Sequence, residues 1–89
     1  MEVITYKNSV IIRIKRVDEH EVYFRIKRDR PLRDVMLEYC NYLKLDYDAI
    51  RFTFNGIKVK CSATADDLGL KDNDTIDAWS DQTGGGPAV

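Results

Sequence analysis

Residues 10–43 read VIIRIKRVDEHEVYFRIKRDRPLRDVMLEYCNYL, and this stretch decides the fold because its apolar period changes once along its length. From Val10 to Val17, Ile12 and Ile14 alternate with Arg13 and Lys15, the period of a half-buried strand. Asp18, Glu19 and His20 supply a turn. EVYFRIKR, residues 21–28, then repeats the alternation, with Val22, Phe24 and Ile26 on one face and Tyr23, Arg25 and Lys27 on the other. Two such strands joined by a short polar loop predict an antiparallel hairpin. Past Pro31, which suits the first turn of a helix because its missing N–H is not needed there, the period lengthens. Leu32, Val35, Met36, Tyr39, Cys40 and Leu43 recur at three and four residue steps and give a helix one apolar stripe. Val35 and Tyr42 fall on an edge of that stripe, and Leu37 falls outside it.

The pattern continues to the C-terminal side. RFTFNGIKV, residues 51–59, places strand residues on both sides of Asn55-Gly56, a pair suited to the positive φ values of a tight hairpin turn. Thr64 followed by Asp67 predicts a capped short helical turn that Gly69 closes in a left-handed conformation. TIDAW, residues 75–79, is the last strand. One helix cannot bury its stripe alone, and a sheet needs its inner face covered, so the helix is expected to lie across that face. The fold class is α+β: a mixed β-sheet packed on one α-helix in the order ββαββ(short helix)β, the β-grasp or ubiquitin-like fold.

Composition narrows the function classes. The 89 residues, 44% apolar and 33% charged, describe one small globular domain, and no apolar run approaches the ~20 residues of a membrane span. No secretory signal pattern is legible in MEVITYKNS. Cys40 and Cys61 lack CxxC spacing and read as free thiols in a reducing compartment. The net charge of -1 conceals an excess of four positive charges over residues 1–33 and of four negative charges over residues 60–89. Such polarity orients protein partners. A linear reading sets nucleic acid aside, because the basic part lacks the net excess and the run of aromatics expected of such a surface. Neither a metal site nor a cofactor is expected. Cys40, Cys61 and His20 could be imagined as a thiol–imidazole pair, but Cys40 lies on the apolar stripe and His20 in a turn, so no enzyme is expected.

The chain ends in DQTGGGPAV, residues 81–89. Glycine costs more backbone entropy on ordering than any other residue. A glycine run is therefore an idle end or a segment that must enter a narrow place.

Taken in order, EVYFRIKRDRPLRDVMLEYC, IRFTFNG, TADDLGLKDNDTIDAW and QTGGG resemble SUMO, the small ubiquitin-like modifier, over residues 10–86. The specific points are Tyr39-Cys40, Arg51-Phe52 entering the hairpin with Gly56, Asp67-Leu68-Gly69-Leu70, and Gln82-Thr83-Gly84-Gly85. The resemblance implies a leader over residues 1–9, a ubiquitin-like domain over 10–80, a conjugation tail over 81–85 and a propeptide over 86–89. It implies that a SUMO-specific protease cuts after Gly85, the alternative being Gly86. An activating enzyme, a conjugating enzyme and ligases then join the glycine to lysines of target proteins. A monomer of the nucleus and cytoplasm is expected, with no membrane or nucleic-acid partner. Five tail residues extend about 17 Å at ~3.4 Å each, enough to thread a channel too narrow for a Cβ.

Binding surfaces follow from the resemblance residue by residue. Val22, Tyr23, Phe24, Arg25, Ile26, Lys27 and Val35, with Tyr42 on the rim, match the groove that takes a SUMO-interacting motif as an added strand. Asp34 and Tyr42 stand where the family is usually basic. Arg51, Gly56 and Asp74 match a surface that touches the conjugating enzyme non-covalently, with Asn55 in place of the usual glutamate. The rival readings are a β-grasp sulfur carrier, disfavoured by Pro87-Ala88-Val89 after the glycines, and a binding module that is never conjugated.

Overall fold

The computed structural model describes residues 8–17 and 21–80. Strand β1, Ser9–Arg16, pairs antiparallel with β2, Val22–Lys27, so that Val10 opposes Ile26 and Ile12 opposes Phe24. Residues 18–20, expected to form the turn, lie outside the described residues. Helix α1 runs Arg33–Leu43, β3 Ile50–Phe54, β4 Ile57–Lys58, α2 Ala65–Leu68 and β5 Asp74–Ser80, with a 3-10 turn at Tyr47–Ala49. The sheet order is β2-β1-β5-β3-β4. β5 lies parallel to β1 and antiparallel to β3. The sheet is therefore mixed, as the alternation and the helix between the hairpins predict.

The core forms where the two periodicities meet. Val10, Ile12 and Ile14 from β1, Ile76 and Ala78 from β5, and Phe52 from β3 are buried against Leu32, Val35, Met36, Tyr39 and Cys40 of the helical segment. The Tyr39 and Phe52 rings meet edge to face with centroids 6.1 Å apart. Leu37, off the stripe, is exposed.

Turn chemistry behaves as the residues dictate. Asn55 and Gly56 take φ of 55° and 81°, and a two-residue hairpin loop with both central residues in that region matches the twist of its strands. Thr64 Oγ1 accepts from the Asp67 N–H, Asp67 Oδ2 accepts from the Thr64 N–H, and Gly69 ends α2 at φ 65°. Pro31 differs from expectation. Leu32 is the N-cap, and Pro31 lies before it in an isolated bridge to Thr64. The Leu32 and Arg33 N–H groups donate to the carbonyls of Ala63 and Cys61, which holds this entry segment against the 61–64 loop and delays the helix by two residues.

This reciprocal cap locks the loop that fixes the start of α1. Thr64→Ala should lower the unfolding free energy by about 1 kcal/mol, the usual cost of a lost N-cap. Ile76→Ala should cost about 2–5 kcal/mol through the cavity it leaves. Urea titration followed by circular dichroism checks both, and equal losses would contradict the assignment of Ile76 to the core and Thr64 to a cap.

Candidate functional site

Two surfaces gather seven of the twelve candidate site residues that fall among the described residues. The first lies between β2 and α1. Among the described residues β2 is an edge strand, so its side away from β1 has no strand partner there. Its inward residues Phe24 and Ile26 meet Val35, one turn into α1, and form the floor of an open groove of about 440 Å³. Ile26 and Val35 are only 7% and 6% exposed, so they serve the core and the groove floor together.

Charge surrounds this floor. Arg25, Lys27 and Arg30 face Asp34 and Glu38 around the groove. Arg30 Nη2 lies 3.1 Å from Asp34 Oδ2, an i,i+4 pair that engages the Asp34 carboxylate. Arg25 Nη1 donates to Ser9 Oγ at 3.1 Å. The side chains of Val22, Tyr23 and Tyr42 do not line the groove. Val22 packs against the core, and Tyr23 follows the strand alternation onto the opposite face of the sheet. Tyr42, two turns along α1 from Val35, is 69% exposed. Arg30 and Glu38 escaped the sequence reading, although Arg30 four residues before Asp34 and Glu38 three after Val35 carried the helical spacing that marks them.

The second surface is the outer side of the β3–β4 hairpin. Arg51, Thr53, Gly56, Lys58 and Trp79 line a shallow pocket of about 380 Å³. Arg51 and Gly56 thus come together, while Asn55 and Asp74 do not line it. Asn55 occupies the turn itself with φ of 55°. Asp74 starts β5, where its Oδ2 accepts the Lys71 N–H at 2.8 Å, and the β3–β5 pairing reaches only to Thr53 opposite Asp77. Trp79, opposite Arg51, was missed as a site residue although it holds an outward position in TIDAW.

Gln82, Thr83, Gly84 and Gly85 lie outside the described residues, as does His20. The two thiols are unlike each other: Cys40 is buried and Cys61 exposed. Burial pushes the Cys40 thiol up from its ordinary range, Asp46 adds to the rise, and Arg16 opposes it. Burial also raises Tyr47. Neither change activates a nucleophile, since the thiolate is the reactive form. Among the described residues no group of three or more His, Cys, Asp or Glu side chains could hold a metal ion, and no helix is long and apolar enough to cross a membrane.

A mixed five-stranded sheet closed by one helix, with an open edge beside that helix, defines a ubiquitin-like protein. The fold matches that of a solved Caldiarchaeum subterraneum ubiquitin with a TM-score of 0.77 over 86% of this chain and 99% of the other, at 23% identity. Sequence comparison is more specific. Residues 10–79 match the family model described as "Ubiquitin-2 like Rad60 SUMO-like". Small ubiquitin-related modifier 2 of Arabidopsis thaliana is 41% identical over 75 residues, covering 84% of this chain and 73% of that protein. Small ubiquitin-related modifier 3 of Homo sapiens is 36% identical over 83 residues, covering 93% of this chain and 81% of that one. The chain belongs to the SUMO family, whose members are protein modifiers and not enzymes.

The contrast between the thiols is measurable. Cys61 should react promptly with an aromatic disulfide reagent in the folded protein, and Cys40 only on unfolding. Because folding raises the proton affinity of Cys40, the folded state keeps a proton that the unfolded chain loses near its ordinary thiol pKa of about 8.5. Stability should therefore be full below that pH and decline as pH rises beyond it. In Cys40→Ala the decline should be shallower, and an identical pH profile would show that Cys40 is not its source.

Proposed function

We propose that this chain is a conjugated modifier, trimmed after Gly85 and joined through that residue's carboxylate to target lysines. We propose also that it is read without covalent linkage through the β2–α1 groove. The observation that carries the second half is the open backbone edge of β2 beside the apolar floor of Phe24, Ile26 and Val35. An extended peptide can add itself to such an edge, its main chain bonding to β2 and alternate side chains entering the floor. Membership of the SUMO family and the Gln82-Thr83-Gly84-Gly85 sequence support the first half.

The chemistry assigns this protein the role of substrate. A carboxylate is inert toward amines, so Gly85 must be adenylated with ATP, passed to an enzyme thiol and then attacked by a lysine amine. The enzymes supply the nucleophile and base. This protein supplies a tail without Cβ atoms at Gly84 and Gly85, and a domain large enough to stay outside the channel. A SUMO-specific protease, activating and conjugating enzymes, ligases and proteins bearing SUMO-interacting motifs are the corresponding partners, met in the nucleus and cytoplasm.

Rim charge sets which peptides are preferred. Arg25, Lys27 and Arg30 attract acidic flanks, whereas Asp34 and Glu38 oppose them. With Asp34 engaged by Arg30, each remaining exposed ion pair is worth about 0.2–1 kcal/mol. The apolar floor and the strand edge therefore dominate affinity.

Reconstitution tests the first half. A chain ending at Gly85, mixed with SUMO activating and conjugating enzymes and ATP, should form a thiol-sensitive adduct on each enzyme, and a chain ending at Asp81 should form none. No adduct with either chain would remove conjugation from the proposal. The second half is tested by calorimetry with an apolar SUMO-interacting peptide. Phe24→Ala should weaken binding by about 1–2 kcal/mol, the scale of an interface anchor, with circular dichroism confirming the fold. Unchanged binding by the folded variant would place the peptide elsewhere.

A further inference from the structure

The face of the sheet turned away from α1 is not used by the groove, and its composition is unlike that of the chain as a whole. Paired residues of neighbouring strands point to the same side, and alternate residues of a strand share a face. Arg13 opposes Tyr23 on β2 and Thr75 on β5. Lys15 opposes Asp77, Asp77 opposes Thr53, Thr53 opposes Lys58, and Trp79 opposes Arg51. On β2, Arg25 and Lys27 share the register of Tyr23 but line the β2–α1 groove, so they belong to that rim. The outer strand positions thus carry Arg13, Lys15, Arg51 and Lys58, with Asp77 as the carboxylate among them. Glu21, just before β2, lies 3.5 Å from Arg13. A chain of net charge -1 has placed a cationic sheet face on one side of itself.

Two aromatic side chains stand on this face. Trp79 is 42% exposed, and its Nε1–H donates to Thr53 Oγ1 at 2.9 Å, which draws the indole across β3 toward Arg51 and Lys58. Tyr23 is 53% exposed, with its hydroxyl donating to Glu21 Oε1 at 3.2 Å. Both polar ends are held by the protein while the rings stay accessible. Four residues along β5 at ~3.3 Å and two strand spacings at ~4.8 Å separate the two Cα atoms by about 16 Å. An extended strand of a few nucleotides covers that span.

We propose that this outer face binds single-stranded nucleic acid, with bases stacking on Trp79 and Tyr23 and phosphates meeting Lys15, Arg51 and Lys58. Exposed rings on a cationic sheet are the stacking platform that single strands use, because every base presents a π-face. A duplex keeps its bases stacked inside and would leave both rings uncovered. An acidic protein segment would satisfy the cations but not the indole. The linear charge count over residues 1–33 disfavoured nucleic acid because it could not see Arg51, Lys58 and Trp79, which strand pairing brings onto the same face as Arg13 and Lys15.

Trp79 is the single tryptophan of the chain, so its fluorescence reports this site alone. The full 89-residue chain is titrated in 50 mM salt with twelve-nucleotide oligo(dT) and oligo(U), with an abasic phosphodiester of the same length, and with polyglutamate. Saturable quenching by the oligonucleotides, and none by the abasic strand or polyglutamate, is expected. Three phosphates neutralised at a slope of about -0.7 each predict roughly a twentyfold loss of affinity between 50 and 200 mM salt. Lys15→Glu with Lys58→Glu, both at exposed positions, should weaken binding at least about tenfold by the same electrostatics, with an unchanged circular dichroism spectrum. Trp79→Ala, followed by anisotropy of a labelled oligonucleotide, should lose several-fold in affinity while Trp79→Phe keeps most of it. Absence of quenching by oligonucleotides would overturn the proposal. So would quenching of equal strength by the abasic strand or by polyglutamate, or wild-type binding by the charge-reversed variant. The titration contains no conjugation enzyme, so its failure leaves the modifier reading untouched.

Discussion

Everything in this molecule hangs on the parallel pairing of β1 with β5. Ile12 and Ile14 of β1 and Ile76 of β5 are completely buried, and Ala78 nearly so. They form the strip against which Leu32, Met36 and Tyr39 of the helical segment pack. Every other strand attaches to this pair from outside: β2 to β1, β3 to β5, and β4 to β3. A domain of this size buries a modest fraction of its surface, so it has little apolar area to spare. Losing the central strip would leave the helix stripe with nothing to cover it.

Local elements and long-range pairings differ in how legibly they are written. Alternation in β1 and β2, the three and four residue steps of α1, Asn55-Gly56 and the Thr64–Asp67–Gly69 cap are local signals, and each element formed where its residues implied. Pro31 misled by two residues because long-range bonds to Ala63 and Cys61, invisible to a local reading, govern the helix entry. Strand order is likewise a property of tertiary pairing. Phe24, Ile26 and Val35 could be placed in a groove from their faces and from the resemblance to SUMO, whereas Tyr23 faces away from it and Tyr42 lies beyond its end. Arg30 and Trp79 carried local spacing signals, but their surroundings are set across the fold: the groove wall for Arg30, Thr53 and Arg51 for Trp79.

A modifier contributes surfaces instead of reactive groups, and here the surfaces are divided between the two sides of a single strand. Phe24 and Ile26 look toward the helix and floor an apolar groove, while Tyr23 on the reverse side joins a cationic sheet. A slip of one residue in the β1–β2 register would exchange these sets and spoil core, groove and outer face together. The antiparallel match of Ile12 with Phe24 and Ile14 with Val22 therefore holds the core and both surfaces in place together.

Because β5 is the last strand in the described chain yet lies in the middle of the sheet, the order of biosynthesis runs against the order of assembly. A nascent chain emerging from the ribosome can close the β1–β2 hairpin and begin α1, but the inner edge of β1 stays unpaired until residues 74–80 have been made. Contacts of such long sequence separation slow folding, because the loop between them must be closed before any pairing is gained. Until then Ile12, Ile14 and the apolar stripe of the helix stay uncovered, the state in which a chain is most prone to aggregate.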